Sequence, residues 1–144
     1  MLGLLNISEA MSIALHTCAC LANETDQFRS ARAISKEMGF SPHHFAKVVQ
    51  QLVHAGILET ERGPAGGAKL ARPANRISLM EIYIAAGGNP TYKGCLLKHN
   101  ICNGDGCALG KLMAKENQRL VKLLKTVTLD SVVRSLKKNR KAKA

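Results

Sequence analysis

The 144-residue chain has no tryptophan and five other aromatic residues: Phe28, Phe40, Phe45, Tyr83 and Tyr92. Proteins that grip single-stranded nucleic acid stack its bases on aromatic platforms, so this scarcity argues against such a partner. No apolar run approaches the roughly 18 residues of a membrane span. The nearest, Ile13 to Ala22, is interrupted by His16 and Thr17. The first residues, Met-Leu-Gly-Leu-Leu-Asn, lack the basic start and small-residue cleavage site of a secretion signal, so a soluble, cytoplasmic protein is expected. A Ser/His/Asp set, paired carboxylates and a phosphate-cradling glycine loop are all missing, and with them the usual grounds for an enzyme. Cys95 with His99 comes nearest to a nucleophilic pair, but nothing orients the histidine.

Acidic residues are also few, ten against 21 Lys/Arg, for a net charge of +11. The excess is uneven. Residues 1–110 hold ten Lys/Arg and eight Asp/Glu, whereas residues 111–144 hold eleven Lys/Arg against Glu116 and Asp130. A basic chain without membrane features usually meets a polyanion, and duplex DNA is the expected one. The tail Lys137-Lys138-Asn139-Arg140-Lys141-Ala142-Lys143 reads either as part of that contact or as a solvated, disordered end. With 46% apolar residues, the chain has enough to build one core without disulfides.

Apolar periodicity predicts a helix from Ser8 to about Ala22, with Ala10, Ile13, Ala14, Thr17 and Leu21 on one side. Ser30 opens a second helix, which Gly39 stops. Ser41-Pro42 starts a third, whose Phe45, Val48, Val49, Leu52 and Val53 share a face, and which ends at Gly56. Two helices joined by the tight Gly39-Phe40-Ser41 turn form a helix-turn-helix pattern. Ile57 to Arg62 and Ala68 to Arg72 then read as strands around Gly63-Pro64-Ala65-Gly66-Gly67, a hairpin wing edged by Arg62, Lys69 and Arg72. Together these elements can straddle a groove. Ser41, His43, His44, Lys47 and Gln50 on the third helix, and Arg62 and Lys69 on the wing, are the expected DNA-binding residues. Ser78-Leu79-Met80-Glu81 is a capping box opening a fourth helix to about Ala86.

A loop of about twenty residues follows, long enough to be functional. A long helix runs from Ala108 to about Thr126, with Leu109, Leu112, Met113, Leu120 and Leu123 as a stripe suited to pairing with a second copy, and Thr128 caps a last short helix through Val132, Val133 and Leu136. The expected fold is mainly α with a small β-hairpin wing. Residues 1–87 would form a winged helix-turn-helix domain, 88–107 a cysteine loop, and 108–144 a dimerisation helix with a basic tail.

Of five cysteines, Cys18 and Cys20 lie at i and i+2 on the first helix, where their side chains diverge, and read as small buried hydrophobes. Cys95, Cys102 and Cys107 fall within thirteen residues of a Gly- and Asn-rich loop. Cys107 opens a helix, where the dipole favours thiolate. Soft thiolates suit zinc, copper(I) or an iron–sulfur cluster, and three bare reactive thiols are the alternative. His99 and Asp105 in the loop could complete a zinc site, and His16 is the odd polar residue on the first helix.

This order of motifs resembles the Rrf-two family of winged-helix regulators, with its IscR- and NsrR-like members. The resemblance spans nearly the whole chain. It rests on Ile13-Ala14-Leu15-His16, Phe40-Ser41-Pro42-His43-His44-Phe45, Leu52-Val53-His54-Ala55-Gly56-Ile57-Leu58, the wing with Leu70-Ala71-Arg72-Pro73, Ile77-Ser78-Leu79-Met80-Glu81-Ile82, and the three loop cysteines before Val127-Thr128-Leu129. It implies a homodimeric regulator, more often a repressor, that binds a pseudo-palindromic operator. Cys95, Cys102 and Cys107 would hold an iron–sulfur cluster (2Fe–2S or 4Fe–4S), with His16 of the partner subunit or His99 as the fourth ligand. Redox state, nitric oxide or iron supply would then set operator affinity. A regulator of the same fold with structural zinc or cluster-free thiols is the alternative. Four positions depart from the family pattern: Ala65 replaces a usual wing glycine, Ala68 an aromatic, Ala46 an acidic residue, and Gly110 a polar residue or His.

Overall fold

Helix signals in the sequence translate into hydrogen bonds in the structure, a computed structural model that describes residues 7–23, 26–92, 95, 97, 101–103 and 106–142, the last four as helical backbone. Helix α1 (Glu9–Ala22) starts where the Ser8 hydroxyl accepts the Met11 N–H at 3.2 Å, satisfying one of the free donors of a helix start. Helix α2 (Ala31–Met38) is capped by Ser30 and ends at Gly39, whose φ of +69° is the left-handed conformation that glycine adopts most cheaply. Helix α3 (Pro42–His54) begins with proline in its first turn, where the missing N–H costs nothing. The turn between α2 and α3 is pinned from inside: buried Ser35 donates to the Phe40 carbonyl at 3.0 Å.

Strands β1 (Leu58–Glu61) and β2 (Gly67–Leu70) pair antiparallel, Leu58 opposite Leu70 and Glu61 opposite Gly67. The strands are shorter than the sequence pattern suggests. Ile57 is taken by its N–H bond to Leu52 and by the bond it accepts from Ala71, and Arg72 turns out of the ladder. Ala68 also pairs with Arg29, exchanging backbone bonds of 2.8 and 2.9 Å, so the wing is stitched to the segment before α2. That stitch explains Gly67: a Cβ there would lie 2.0 Å from the Arg29 oxygen.

A 3-10 turn (Ala74–Arg76) leads to α4 (Leu79–Ala85), where the Ser78–Glu81 capping box is fully formed. Beyond the loop come α5 (Ala108–Thr126) and α6 (Leu129–Ala142). The last helix is longer than expected and carries the backbone of the basic tail as far as Ala142. Leu129 and Val133 of α6 are buried with Ile13, Cys18, Phe45, Leu52 and Ile82, so the chain end closes the same core that supports α3. The α5–α6 joint is tied to the start of α4 by two backbone bonds, Leu79 N–H to Val127 O at 3.0 Å and Leu129 N–H to Ile77 O at 2.8 Å.

Arg72 organises the base of the wing. Its guanidinium donates to Gly56 O (3.3 Å), Arg76 O (2.6 Å) and Glu81 Oε1 (2.7 Å), while the Ser78 N–H and hydroxyl donate to Glu81 Oε2 at 2.8 and 2.9 Å. Partial burial pushes the Glu81 carboxyl up, but the Ser78 N–H, the Arg72 and Ser78 side chains and the Arg72 charge outweigh it, and the group is held below its ordinary value. A carboxylate with a depressed native pKa stabilises the fold above its unfolded pKa and loses that contribution as pH falls through the native one. Glu81→Gln should therefore lower stability near neutral pH and flatten the acid limb of a stability–pH curve below the ordinary carboxylate range. Urea melts across that range check this, and an unchanged acid limb would contradict it.

Candidate nucleic-acid interface and cysteine loop

Helix α3 divides cleanly by periodicity. Phe45, Val48, Val49 and Leu52 face the core, while Ser41, His43, Ala46, Lys47 and Gln50 are exposed. His43, Lys47 and Gln50 recur at i, i+4 and i+7, one outward stripe, and α3 contains no acidic residue. His44 turns aside, its Nδ1 lying 3.2 Å from a carboxylate oxygen of Glu9 in the first turn of α1. It clasps α3 to α1 as well as lying near the outward face.

The two wing cations differ. Arg62 is exposed at the tip, just outside β1. Lys69 is half-buried, with its Nζ 3.0 Å from Glu59, its partner across the ladder, and 4.7 Å above the Phe28 ring. Its charge is partly engaged within the hairpin. Arg72, read from sequence as an edge cation, is occupied by the wing-root network. Two cations that the sequence reading missed, Arg32 and Lys36, lie exposed on α2 and line a shallow cleft with Phe40, Pro42 and Ala46 beside the start of α3. Their i, i+4 spacing on the outer face of α2 was the available signal. Of the departures from the family pattern, Ala68 is buried against the Arg29 stitch and Ala46 is exposed on α3.

The loop cysteines are seen one at a time. Cys107 is the N-cap of α5, its sulfur accepting the Gly110 N–H at 3.3 Å, and Gly106 before it has φ +78°. Half-buried Cys95 accepts the Leu97 N–H at 3.4 Å, and Cys102 is exposed. Among the described residues no three His, Cys, Asp or Glu side chains are gathered as a metal site. His99 and Asp105 lie outside the described residues. The donor chemistry nevertheless fits a soft metal centre: three free thiols on one loop, two of them already receiving backbone N–H bonds of the kind that stabilise ligated sulfur.

His16 is exposed on α1, and its Nδ1 lies 2.7 Å from the Ser12 carbonyl oxygen. A ring nitrogen facing a carbonyl oxygen can only donate to it, so Nε2 is the ring nitrogen left to meet a ligand. Cys18 is fully buried, and burial pushes its thiol up to about 12, in keeping with a small core hydrophobe. Cys20 differs from that reading. It is half-buried and its sulfur accepts from Arg29 Nη1 at 2.6 Å, while Arg29 also reaches Glu37 at 2.9 Å.

The predicted stripe of α5 faces two ways. Leu109, Leu112, Met113 and Leu123 are exposed. Leu120 and Leu124 turn toward α4 and line a cleft of about 510 Å³ with Met11, Leu15, Met80 and Tyr83.

Residues 7–135 match the model of the Rrf2 family, described as iron-dependent transcriptional regulators. A Neisseria meningitidis serogroup A protein named as an HTH-type transcriptional regulator, NMA1593, is 34% identical over 101 residues, covering 70% of this chain and 68% of its own. The HTH-type transcriptional regulator IscR of Xenorhabdus nematophila is 28% identical over 102 residues, 71% of this chain and 62% of its own. Among solved structures, CymR of Bacillus subtilis, the global cysteine regulator, superposes with a TM-score of 0.78 at 20% identity, covering 92% of this chain and 98% of that one. IscR of T. potens gives 0.72 at 20% identity, over 92% and 88%. Among the described residues, no helix is long and apolar enough to cross a membrane. The chain belongs to the Rrf2 family of winged-helix, DNA-binding transcription regulators and is not an enzyme.

Proposed function

We propose that this chain acts in the cytoplasm as a homodimeric repressor that reads a pseudo-palindromic operator with α3, and whose affinity is set by an iron–sulfur cluster on Cys95, Cys102 and Cys107. The observation that carries the reading is the pairing of an acid-free outward stripe on α3 with a thiol loop whose last cysteine caps α5. His43, Lys47 and Gln50 offer donors to base edges and phosphates in the major groove, and Ser41 lies at the helix start, where backbone N–H groups favour a phosphate. Arg62 reaches the flanking phosphate or minor groove, with Lys69 behind it. His16 of the partner subunit or His99 completes the ligand set.

When bound, the cluster supplies a centre that responds to redox state, nitric oxide or iron supply. The rest is the work of the chain. Cys107 fixes where α5 begins, and the Leu79–Val127 and Leu129–Ile77 bonds join its far end to α4. Ser78, Glu81 and Arg72 then continue the connection to the wing root and to Gly56 after α3. A shift of α5 therefore reaches both DNA-contacting elements, and in a dimer it alters the spacing of the two α3 helices. Residues 88–107 thus form the sensor between the DNA-binding unit, residues 1–87, and the dimer-forming segment, residues 108–144.

Replacing His43, Lys47 and Gln50 by alanine should cost roughly 1–3 kcal/mol of operator preference per base-reading contact removed, measured by competition between operator and scrambled duplexes. Equal preference in the triple variant would overturn the assignment of α3. Leu112→Glu with Leu123→Glu, both at exposed positions, should give monomers in sedimentation with sharply weaker operator binding, since only the free part of the stripe is altered. Dimers that persist would show that α5 is not the interface. Anaerobically purified protein should be coloured and contain iron and sulfide. Replacing any one of Cys95, Cys102 and Cys107 should abolish or destabilise the chromophore, while Cys18→Ala or Cys20→Ala should spare it. A colourless protein that contains zinc, or no metal, would select the alternative regulator and refute the cluster.

A further inference from the structure

We infer that α5 carries a second, sequence-independent DNA-binding surface, separate from α3 and the wing. Lys111, Lys115, Arg119, Lys122 and Lys125 are all exposed. At 3.6 residues per turn they fall within an arc of about 120° and extend over about 21 Å of helix. Leu109, Leu112, Met113 and Leu123 occupy the neighbouring exposed arc, and Leu120 and Leu124 turn to α4, so the cationic stripe stays open when either apolar face is covered.

A solvated helix face ordinarily intersperses charges of both signs. On α5 the sole acid is Glu116, which lies off the stripe and pairs with Arg119 at 3.2 Å. No acidic partner within 4 Å is seen for the other four cations among the described residues. Like charges at i, i+4, such as Lys111 with Lys115 and Lys115 with Arg119, weaken a helix. A polyanion laid along the stripe relieves that repulsion.

The charge distribution points to DNA. Residues 1–110, which include α3 and the wing, carry a net charge of only +2, whereas residues 111–144 carry +9, of which α5 supplies +4 and α6 with the tail +5. Most of the electrostatic attraction to phosphate therefore resides outside the base-reading elements. Helix α5 packs on α4, and on this inference its stripe has to take a second duplex segment while α3 holds the first. The stripe offers lysine and arginine without aromatic residues, which suits a regular phosphate ladder and not stacked bases.

The test uses the full chain with all five stripe residues changed to glutamine, and a second variant in which the four lysines become arginine. Binding to a random duplex is measured against salt. The glutamine variant should lose about 3–4 from the slope of log affinity against log salt, while keeping the wild-type ratio of operator to random binding. The arginine variant should keep the wild-type slope, because the charge is unchanged, and the operator preference kept by the glutamine variant shows that it is folded. Wild-type protein on an immobilised operator should capture a free random duplex, and the glutamine variant should not. An unchanged slope in the glutamine variant overturns the inference, as does binding of wild-type protein to anionic lipid vesicles in preference to duplex. Loss of operator preference in the α3 triple variant with the stripe intact is a separate outcome and concerns α3 alone.

Discussion

The Arg72 guanidinium is the junction on which the rest of the arrangement depends. It joins Gly56 just beyond α3, the 3-10 turn and α4 at the root of the wing. It adds to the Arg29–Ala68 stitch, the Ile57–Leu52 bond to α3 and the burial of Ile57, Leu58 and Ala68, which seat the hairpin on the core. Charge-assisted bonds to a planar donor fork fix direction as well as distance, which is why arginine serves here and lysine would not. Glu81 is the second half of the junction. One of its oxygens holds Arg72 and the other is held by Ser78, so the helix cap and the wing root share a carboxylate.

Most of this fold was legible in the residues because its signals are local. Ser8, Ser30, Gly39, Pro42 and the Ser78–Glu81 box each act within one helical turn, and the structure places helix ends at all of them. What the sequence did not reveal depends on partners distant along the chain. The isolated Arg29–Ala68 pairing joins residues nearly forty apart, and β2 starts at Gly67 because its ladder with β1 begins at the Glu61–Gly67 pair. Arg72 looked like a surface cation because nothing in its neighbourhood names Gly56, Arg76 and Glu81 as acceptors. The length of α6 was underestimated because a lysine-rich end has no apolar period, although Leu129 and Val133 seat its first turns in the core.

The candidate site shows the same division. The outward stripe of α3 follows from helical periodicity once the core face is known, and Arg62 follows from the hairpin. Periodicity alone could not divide the α5 leucines between α4 and an exposed face, since both lie on one broad apolar arc. Nor could composition show that Lys69 is engaged by Glu59 and Phe28, or that Cys20 meets Arg29. The thiol loop was recognisable by residue type, because few roles other than soft-metal ligation or redox chemistry call for three cysteines in thirteen residues of an otherwise disulfide-free chain.

In the proposed mechanism the thiol loop sets the start of α5, and the Leu79–Val127 and Leu129–Ile77 backbone bonds carry its position to α4. By the same proposal the Glu81–Arg72 pair passes it to the wing and α3. The central claim is that the state of the loop governs DNA affinity. The most direct measurement compares operator affinity of one anaerobic preparation before and after iron and sulfide are removed by chelation, at fixed salt and with dimer content verified. The account predicts a change of about tenfold or more, within the usual range of coupling between sites. Identical affinity in the two states would contradict it.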